Sequence, residues 1–259
     1  MKVVILAGGF GTRISEESYL RPKPMIEVGG EPILWHIMKS YSFYGFNEFV
    51  ICCGYKATVI KEYFANYYRY HSDMTFDFQD NNRITIHNNF AEPWKVTVVD
   101  TGLHTMTGGR LKRVEEYLGK ETFMLTYGDG VCDVNIRELY EYHKRNKALV
   151  TLTAIQPGSR FGNLEFGENA FVKKFAEKKA EDGGWINGGF MVMEPEILNV
   201  ITGDEIVLEK EPLEYAAKTK QLLAYKHNGF WQCMDTLRDR QYLEKLIESG
   251  EAPWMVWNK

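Results

Sequence analysis

Five apolar residues in a row, Val3-Val4-Ile5-Leu6-Ala7, run directly into Gly8-Gly9-Phe10-Gly11-Thr12-Arg13, and this junction constrains the fold most. An aliphatic, β-branched run without polar alternation belongs to a strand covered on both faces, as in a parallel sheet between helices. A glycine-rich turn after such a strand lies where open α/β sheets place their ligand crevice. Lacking β-carbons, it lets successive backbone N–H groups converge on an anion; Thr12 adds a hydroxyl donor and Arg13 a bidentate guanidinium. Two common phosphate loops are excluded. The dinucleotide fingerprint needs glycine where Ile14 stands, and the ATP-type loop needs Gly-Lys-Ser/Thr. On glycine content alone, a plain tight turn with a surface arginine remains open.

The next stretches set a rhythm. Pro32 opens a helical pattern through Ile33, Leu34, Ile37, Met38 and Tyr41. Phe49-Val50-Ile51-Cys52-Cys53 reads as a second buried strand, and Lys56 to Tyr70 as a helix with Val59, Ile60, Tyr63 and Phe64 inward. This alternation predicts an α/β fold. Further strands are expected at residues 74–78, 84–87, 96–99, 122–127 and 150–155, and helices at 110–118 and 136–145. Beyond Gln156, short β segments near Leu164, Val172 and 186–192 alternate with glycine turns, followed by helices at 213–219 and 237–248. The expectation is one domain, with a nucleotide-binding core over 1–150 and a β-rich lobe over 151–259.

Composition narrows the partners. A formal charge of −4 gives no general basic field, so nucleic-acid binding is not expected, although local cations can still grip phosphates. The Tyr67-Tyr68-Arg69-Tyr70 stretch lacks the basic surroundings of an RNA-stacking platform. The four cysteines form no CxxC motif; Cys52 and Cys53, adjacent on a strand, must face opposite sides. The six histidines show no metal-ligand spacing. With no signal-peptide pattern and no membrane-spanning run, the expected compartment is the reducing cytoplasm.

Several charged residues need a context. Pro22 and Pro24 are expected to hold Lys23 in an extended segment as a point charge; alone, it reads as a solvated lysine. Asp129 stands between Gly128 and Gly130 at a strand end, where a ligand can approach closely, but a lone Asp there is also a turn residue. Asp235 precedes Thr236-Leu237-Arg238 and by itself reads as a helix cap. Residues 107–110 read as a helix entry, and Lys173, Lys174, Glu177, Lys178 and Lys179 as a solvated charged run.

The combination is more specific than its parts. Leu6 to Arg13 followed by Pro22-Lys23-Pro24 resembles the opening of the sugar nucleotidylyltransferase (nucleoside-diphosphate-sugar pyrophosphorylase) family. Thr107-Gly108-Gly109-Arg110, Gly128-Asp129-Gly130, Glu177-Lys178, Asn187-Gly188-Gly189-Phe190 and Met234-Asp235-Thr236 extend the resemblance along almost the whole chain. Glu92-Pro93-Trp94 and Gly229 to Asp239 are similar to the branch that joins CTP to glucose 1-phosphate. Lys179 and Ser15-Glu16 stand where many members carry proline.

The resemblance implies a Rossmann-like, mixed but mostly parallel sheet flanked by helices, with Mg²⁺ held by Asp129 and Asp235. It gives the nucleotide to Leu6, Ala7, Gly8, Gly9, Phe10, Gly11, Thr12, Arg13, Lys23, Thr107, Gly108, Arg110 and Gly128. Gly162, Glu177, Lys178, Asn187 and Gly188 go to the sugar phosphate, and Arg13, Lys23, Asp129 and Lys178 become the catalytic set. It also implies a homo-oligomer, taken as a hexamer. A sister enzyme using UTP or dTTP and a non-catalytic sensor on the same fold are the alternatives, the latter opposed by the presence of Lys23 and both aspartates.

Overall fold

A computed structural model of the chain describes residues 1–14, 19–157, 162–166, 172–177 and 184–258; for 162–166 and 172–177, as for Arg13, the backbone alone is described. The strands in chain order begin with β1 (Lys2–Ala7), β2 (Glu27–Val28), β3 (Glu31–Pro32), β4 (Glu48–Cys53) and β5 (Ser72–Asp77). Then come β6 (Arg83–Asn89), β7 (Lys95–Asp100), β8 (Phe123–Tyr127), β9 (Gly130–Cys132) and β10 (Val150–Ile155). β11 (Gly162–Phe166), β12 (Val172–Glu177), β13 (Ile186–Met193), β14 (Leu222–His227) and β15 (Trp231–Cys233) follow. The helices are α1 (Ile33–Phe43), α2 (Ala57–Tyr70), α3 (Thr107–Arg113), α4 (Glu115–Leu118), α5 (Ile136–Asn146), α6 (Glu211–Lys218) and α7 (Leu237–Glu248).

Seven strands form the central sheet in the order β14-β10-β13-β8-β1-β4-β7. All its pairings are parallel except those of β13, which runs antiparallel to both β8 and β10. The unbroken apolar run of β1 now has its reason: Val3, Ile5 and Ala7 enter one core and Val4 and Leu6 the other. The first core is closed by α1, α2 and the fully buried Trp254, the second by α3 and residues 197–216. Cys52 and Cys53 divide between the two cores in the same way.

Three expectations change. The helix expected at 110–118 begins at Thr107 and breaks at Val114 (φ −104°, ψ 7°) into α3 and α4. The segment 186–192 is not an outlying β element: as β13 it lies between β8 and β10, inside the main sheet. That sheet therefore runs through both halves of the chain, whereas, among the described residues, β11 and β12 pair only with each other. The third concerns Lys23, which sits in a one-turn 3₁₀ helix, Lys23–Met25, entered from extended Pro22 (φ −65°, ψ 148°). A proline at the second position of so short a turn removes no needed N–H, and Met25 N and Ile26 N close the turn onto Pro22 O and Lys23 O.

β1 has β4 on one side and β8 on the other. The chain moves outward from β1 to β4 and β7, then crosses back to β8. This reversal opens a crevice at the carboxyl ends of β1 and β8.

Candidate functional site

A cleft of about 490 Å³ occupies that crevice. Residues 6–12 form one wall, with Lys23, Pro24, residues 103–107, Arg110, residues 127–129 and Asp235 around the rest. The expected nucleotide residues Leu6 to Thr12, Lys23, Thr107, Arg110 and Gly128 thus share one cavity. The glycine loop folds back through Gly11 at φ +66°, a conformation that costs a residue with a side chain about 1 kcal/mol or more.

Asp129 and Asp235 meet in this cleft although 106 residues separate them. The link is a short non-local ladder: β9 pairs antiparallel with β15, Gly130 opposite Cys233, and Met234 N donates to Asp129 O at 2.8 Å. Capping of α7 falls to Thr236, whose side chain and that of Asp239 bond each other's backbone N–H in a capping box. Asp235 therefore turns to the cleft instead. Lys23 Nζ lies 2.6 Å from Asp129 Oδ2 and 2.6 Å from Asp235 Oδ1. Burial pulls the Lys23 pKa down, but the charges and hydrogen bonds of the two aspartates outweigh it, and the net direction is upward. The ammonium is thus held charged between two carboxylates.

Arg110 borders the cleft, with its guanidinium turned to the loops that form it. It is 5% exposed, and its guanidinium donates to Gly8 O (3.1 Å), Cys53 O (3.1 Å), Thr101 Oγ1 (2.8 Å), Gly102 O (2.7 Å) and Leu103 O (3.3 Å). These acceptors belong to the ends of β1, β4 and β7, so Arg110 holds the loops in place from beneath. A Cβ on Gly8 would stand 2.3 Å from the guanidinium carbon, and one on Gly54 2.5 Å from a terminal nitrogen. Those two glycines make room for the arginine. Gly108 sits beside Thr107 at the start of α3, and its N–H donates to Ile206 O at 2.9 Å.

Among the residues expected at the sugar phosphate, Asn187 Nδ2 approaches Tyr127 Oη at 3.4 Å, and Asn187 Oδ1 accepts from Gly189 N at 2.9 Å. Gly188 O accepts from Trp231 Nε1 at 2.7 Å. Gly162 and Glu177 face each other across the β11–β12 hairpin. Lys178 and the side chains of Arg13 and Glu177 lie outside the described residues. Two residues not singled out from sequence, Tyr127 and Glu209, join here: the Tyr127 hydroxyl donates to Glu209 Oε1. Tyr127 borders the Gly-Asp-Gly segment and was within reach of sequence reasoning, whereas Glu209 sits in a Glu-Lys-Glu run that reads as solvent-facing.

A profile of the nucleotidyl transferase family matches residues 2–236. The chain belongs to this family. As a nucleotidyltransferase it is 54% identical over 258 residues to glucose-1-phosphate cytidylyltransferase of Salmonella typhi, covering 99% of this chain and 100% of that protein. The enzyme of the same name from Salmonella typhimurium matches with the same identity and coverage. HddC from Yersinia pseudotuberculosis shares the fold, with a TM-score of 0.68 and 22% identity over 95% of this chain and 99% of that one.

For a nucleotidyltransferase the donor set at Asp129 and Asp235 suits a hard cation. Two carboxylates converge on one point, now marked by the Lys23 ammonium, beside a glycine-lined cavity. A second group of possible ligands, Cys132, Asp133 and His227, has its donor atoms within 4.8 Å of one another. Thiol and imidazole are soft or borderline donors ill suited to Mg²⁺, burial pushes the Cys132 thiol pKa up, and His227 Nε2 already bonds Asp133 Oδ1 at 2.8 Å.

Proposed function

We propose that this nucleotidyltransferase transfers a cytidylyl group from CTP to α-D-glucose 1-phosphate, giving CDP-glucose and pyrophosphate. The observation that carries the chemistry is the Lys23 ammonium 2.6 Å from both Asp129 and Asp235 on the cleft. The choice of CTP and glucose 1-phosphate follows from the 54% full-length identity to enzymes of that name.

An oxygen of the sugar phosphate attacks the α-phosphorus in line, and the bond to the departing pyrophosphate breaks. A phosphate already carries an anionic oxygen at neutral pH, so no strong general base is needed; positioning and charge neutralisation are the task. In this reading the glycine loop and Arg13 receive the β- and γ-phosphates, and Lys23 offsets charge at the α-phosphate. Thr107 borders the base, with Arg110 fixing the loops around it. Lys178 anchors the sugar phosphate, with Glu177, Asn187, Gly162 and Gly188 around the sugar. Asp129 and Asp235 would hold Mg²⁺, which supplies neutralisation of phosphate charge when bound.

Two further parts complete the reading: a homo-oligomer, taken as a hexamer, and a cytoplasmic location. The four cysteines are free thiols, and no described helix is long and apolar enough to cross a membrane. The test is pyrophosphate release with CTP, UTP, dTTP, ATP and GTP, each with and without glucose 1-phosphate. CTP is expected to lead by at least about tenfold in kcat/KM, because cytosine and uracil present opposed donors and acceptors at two ring positions. Equal rates with UTP would remove the cytidylyl assignment and leave the family.

A further inference from the structure

Residues 204–209 back the nucleotide side of the cleft. Asp204 O accepts from Met106 N at 2.8 Å, and Ile206 O accepts from Gly108 N at 2.9 Å and Gly109 N at 3.2 Å. The stretch ends in Glu209, whose two carboxylate oxygens are used separately. Oε2 accepts from Thr107 Oγ1 at 2.7 Å, on the nucleotide wall. Oε1 accepts from the hydroxyl of Tyr127, next to Gly128-Asp129. Each hydroxyl is in turn an acceptor: Thr107 Oγ1 from Leu208 N at 2.9 Å, and Tyr127 Oη from Asn187 Nδ2 at 3.4 Å.

The directions of these bonds follow from the centre. An ionised carboxylate can only accept, so both hydroxyls must point their protons at Glu209 and present lone pairs to Leu208 and Asn187. Burial, and after it the Glu209 charge, push the Tyr127 phenol pKa above its ordinary value, which keeps it a donor at neutral pH. A single anionic side chain thereby orients one residue of the nucleotide loop and, through Tyr127, one residue assigned to the sugar.

We propose that Glu209 is a positioning residue for the transfer reaction, coupling Thr107 on the nucleotide side to the Tyr127–Asn187 pair on the sugar side. The inference rests on the nucleotidyl-transfer reading above. Glu209→Gln keeps the shape but places an amide N–H₂ against one hydroxyl, reversing that arm; Glu209→Ala removes both.

The experiment follows pyrophosphate release while CTP and glucose 1-phosphate are varied in turn, alongside thermal melting. Glu209→Gln should melt cooperatively near the wild-type temperature yet lose about tenfold in kcat/KM for both substrates, as expected when a hydroxyl that orients the site loses its charged acceptor. Thr107→Val and Tyr127→Phe should be non-additive when Glu209 is present and additive in the Glu209→Ala background. A purely structural role would lower melting without that change in coupling. Wild-type rates in Glu209→Gln, or additivity in both backgrounds, would overturn the proposal. Wild-type protein silent with CTP but active with another triphosphate would sink the cytidylyl reading instead, and the Glu209 comparison is then made with that nucleotide.

Discussion

Lys23 neutralises one of the two negative charges at Asp129 and Asp235, so a divalent ion using the same carboxylates must displace the ammonium or share them with it. Replacing Lys23 by Met should therefore have opposite effects on two measurements. Mn²⁺ titrated into the substrate-free protein should bind more tightly, because the ammonium no longer competes with it for the two carboxylates. Turnover should fall by about 10²–10³, the usual loss when a preorganised charge is removed from a developing anion. Asp129→Asn and Asp235→Asn should lose both cation binding and turnover while keeping a cooperative melt. Unchanged turnover in Lys23→Met would place Lys23 outside the phosphate path. The residue types at this centre were legible in the sequence; their meeting was implied by the family resemblance alone, not by spacing. It depends on three backbone pairs between β9 and β15, and short strands of mixed polarity carry little periodic signal. The bonding of Arg110 was hidden for a related reason. Its acceptors are mostly backbone carbonyls at the ends of three strands, and carbonyls leave no mark in a sequence.

At the scale of elements, two helices are tied to neighbouring strands by buried histidines. In α1, His36 Nε2 bonds Val28 O at 2.8 Å; in α5, His143 reaches Thr151 Oγ1 at 2.8 Å and Glu194 Oε1 at 3.2 Å. Burial is the largest influence on both and lowers their pKa from 6.5, against the opposing pull of Val28 O on His36 and of Glu194 on His143. A folded-state pKa below the unfolded one means that the unfolded chain binds more protons as pH falls. The stability from keeping these rings neutral is complete above the unfolded value of 6.5 and is lost as pH drops through the folded values. Melting temperature should thus decline from about pH 7 to about pH 5, and His143→Asn, though less stable at neutral pH, should decline less steeply. An equally steep decline in the variant would assign the acid sensitivity elsewhere. The helices themselves were readable from apolar spacing, with α1 and α7 starting where expected. β13 was readable as a strand but not as a central one: its Asn-Gly-Gly opening resembles the turns around it, and only its pairing between β8 and β10 reveals its place.

At the scale of the whole molecule, the β5–β6 hairpin lies outside the central sheet, and its strands pair only with each other. Its register sets Phe76 opposite Ile84 and Met74 opposite Ile86, which gathers four apolar side chains on one face of the ribbon. The other face carries Thr75 opposite Thr85, with Thr75 Oγ1 bonded to His87 Nε2 at 2.9 Å. The apolar face is left open by the described residues: Phe76 is 53% exposed, Ile84 47% and Ile86 46%, and Phe78 at the tip reaches 79%. A two-stranded ribbon alone in water is marginally stable, and an apolar stripe this continuous on it calls for a covering surface. A second copy of the chain is the occupant consistent with the proposed homo-oligomer, since a ribbon that projects from one subunit can lie on the body of the next. Phe76→Asp with Ile84→Asp places two charges in that stripe, where each would be buried unpaired on association. Sedimentation velocity should then show a smaller species than the wild type at equal concentration. The far-ultraviolet spectrum should be retained, because the sheet that carries the cleft does not include the hairpin. A variant that sediments like the wild-type oligomer would show that the subunits meet through another face.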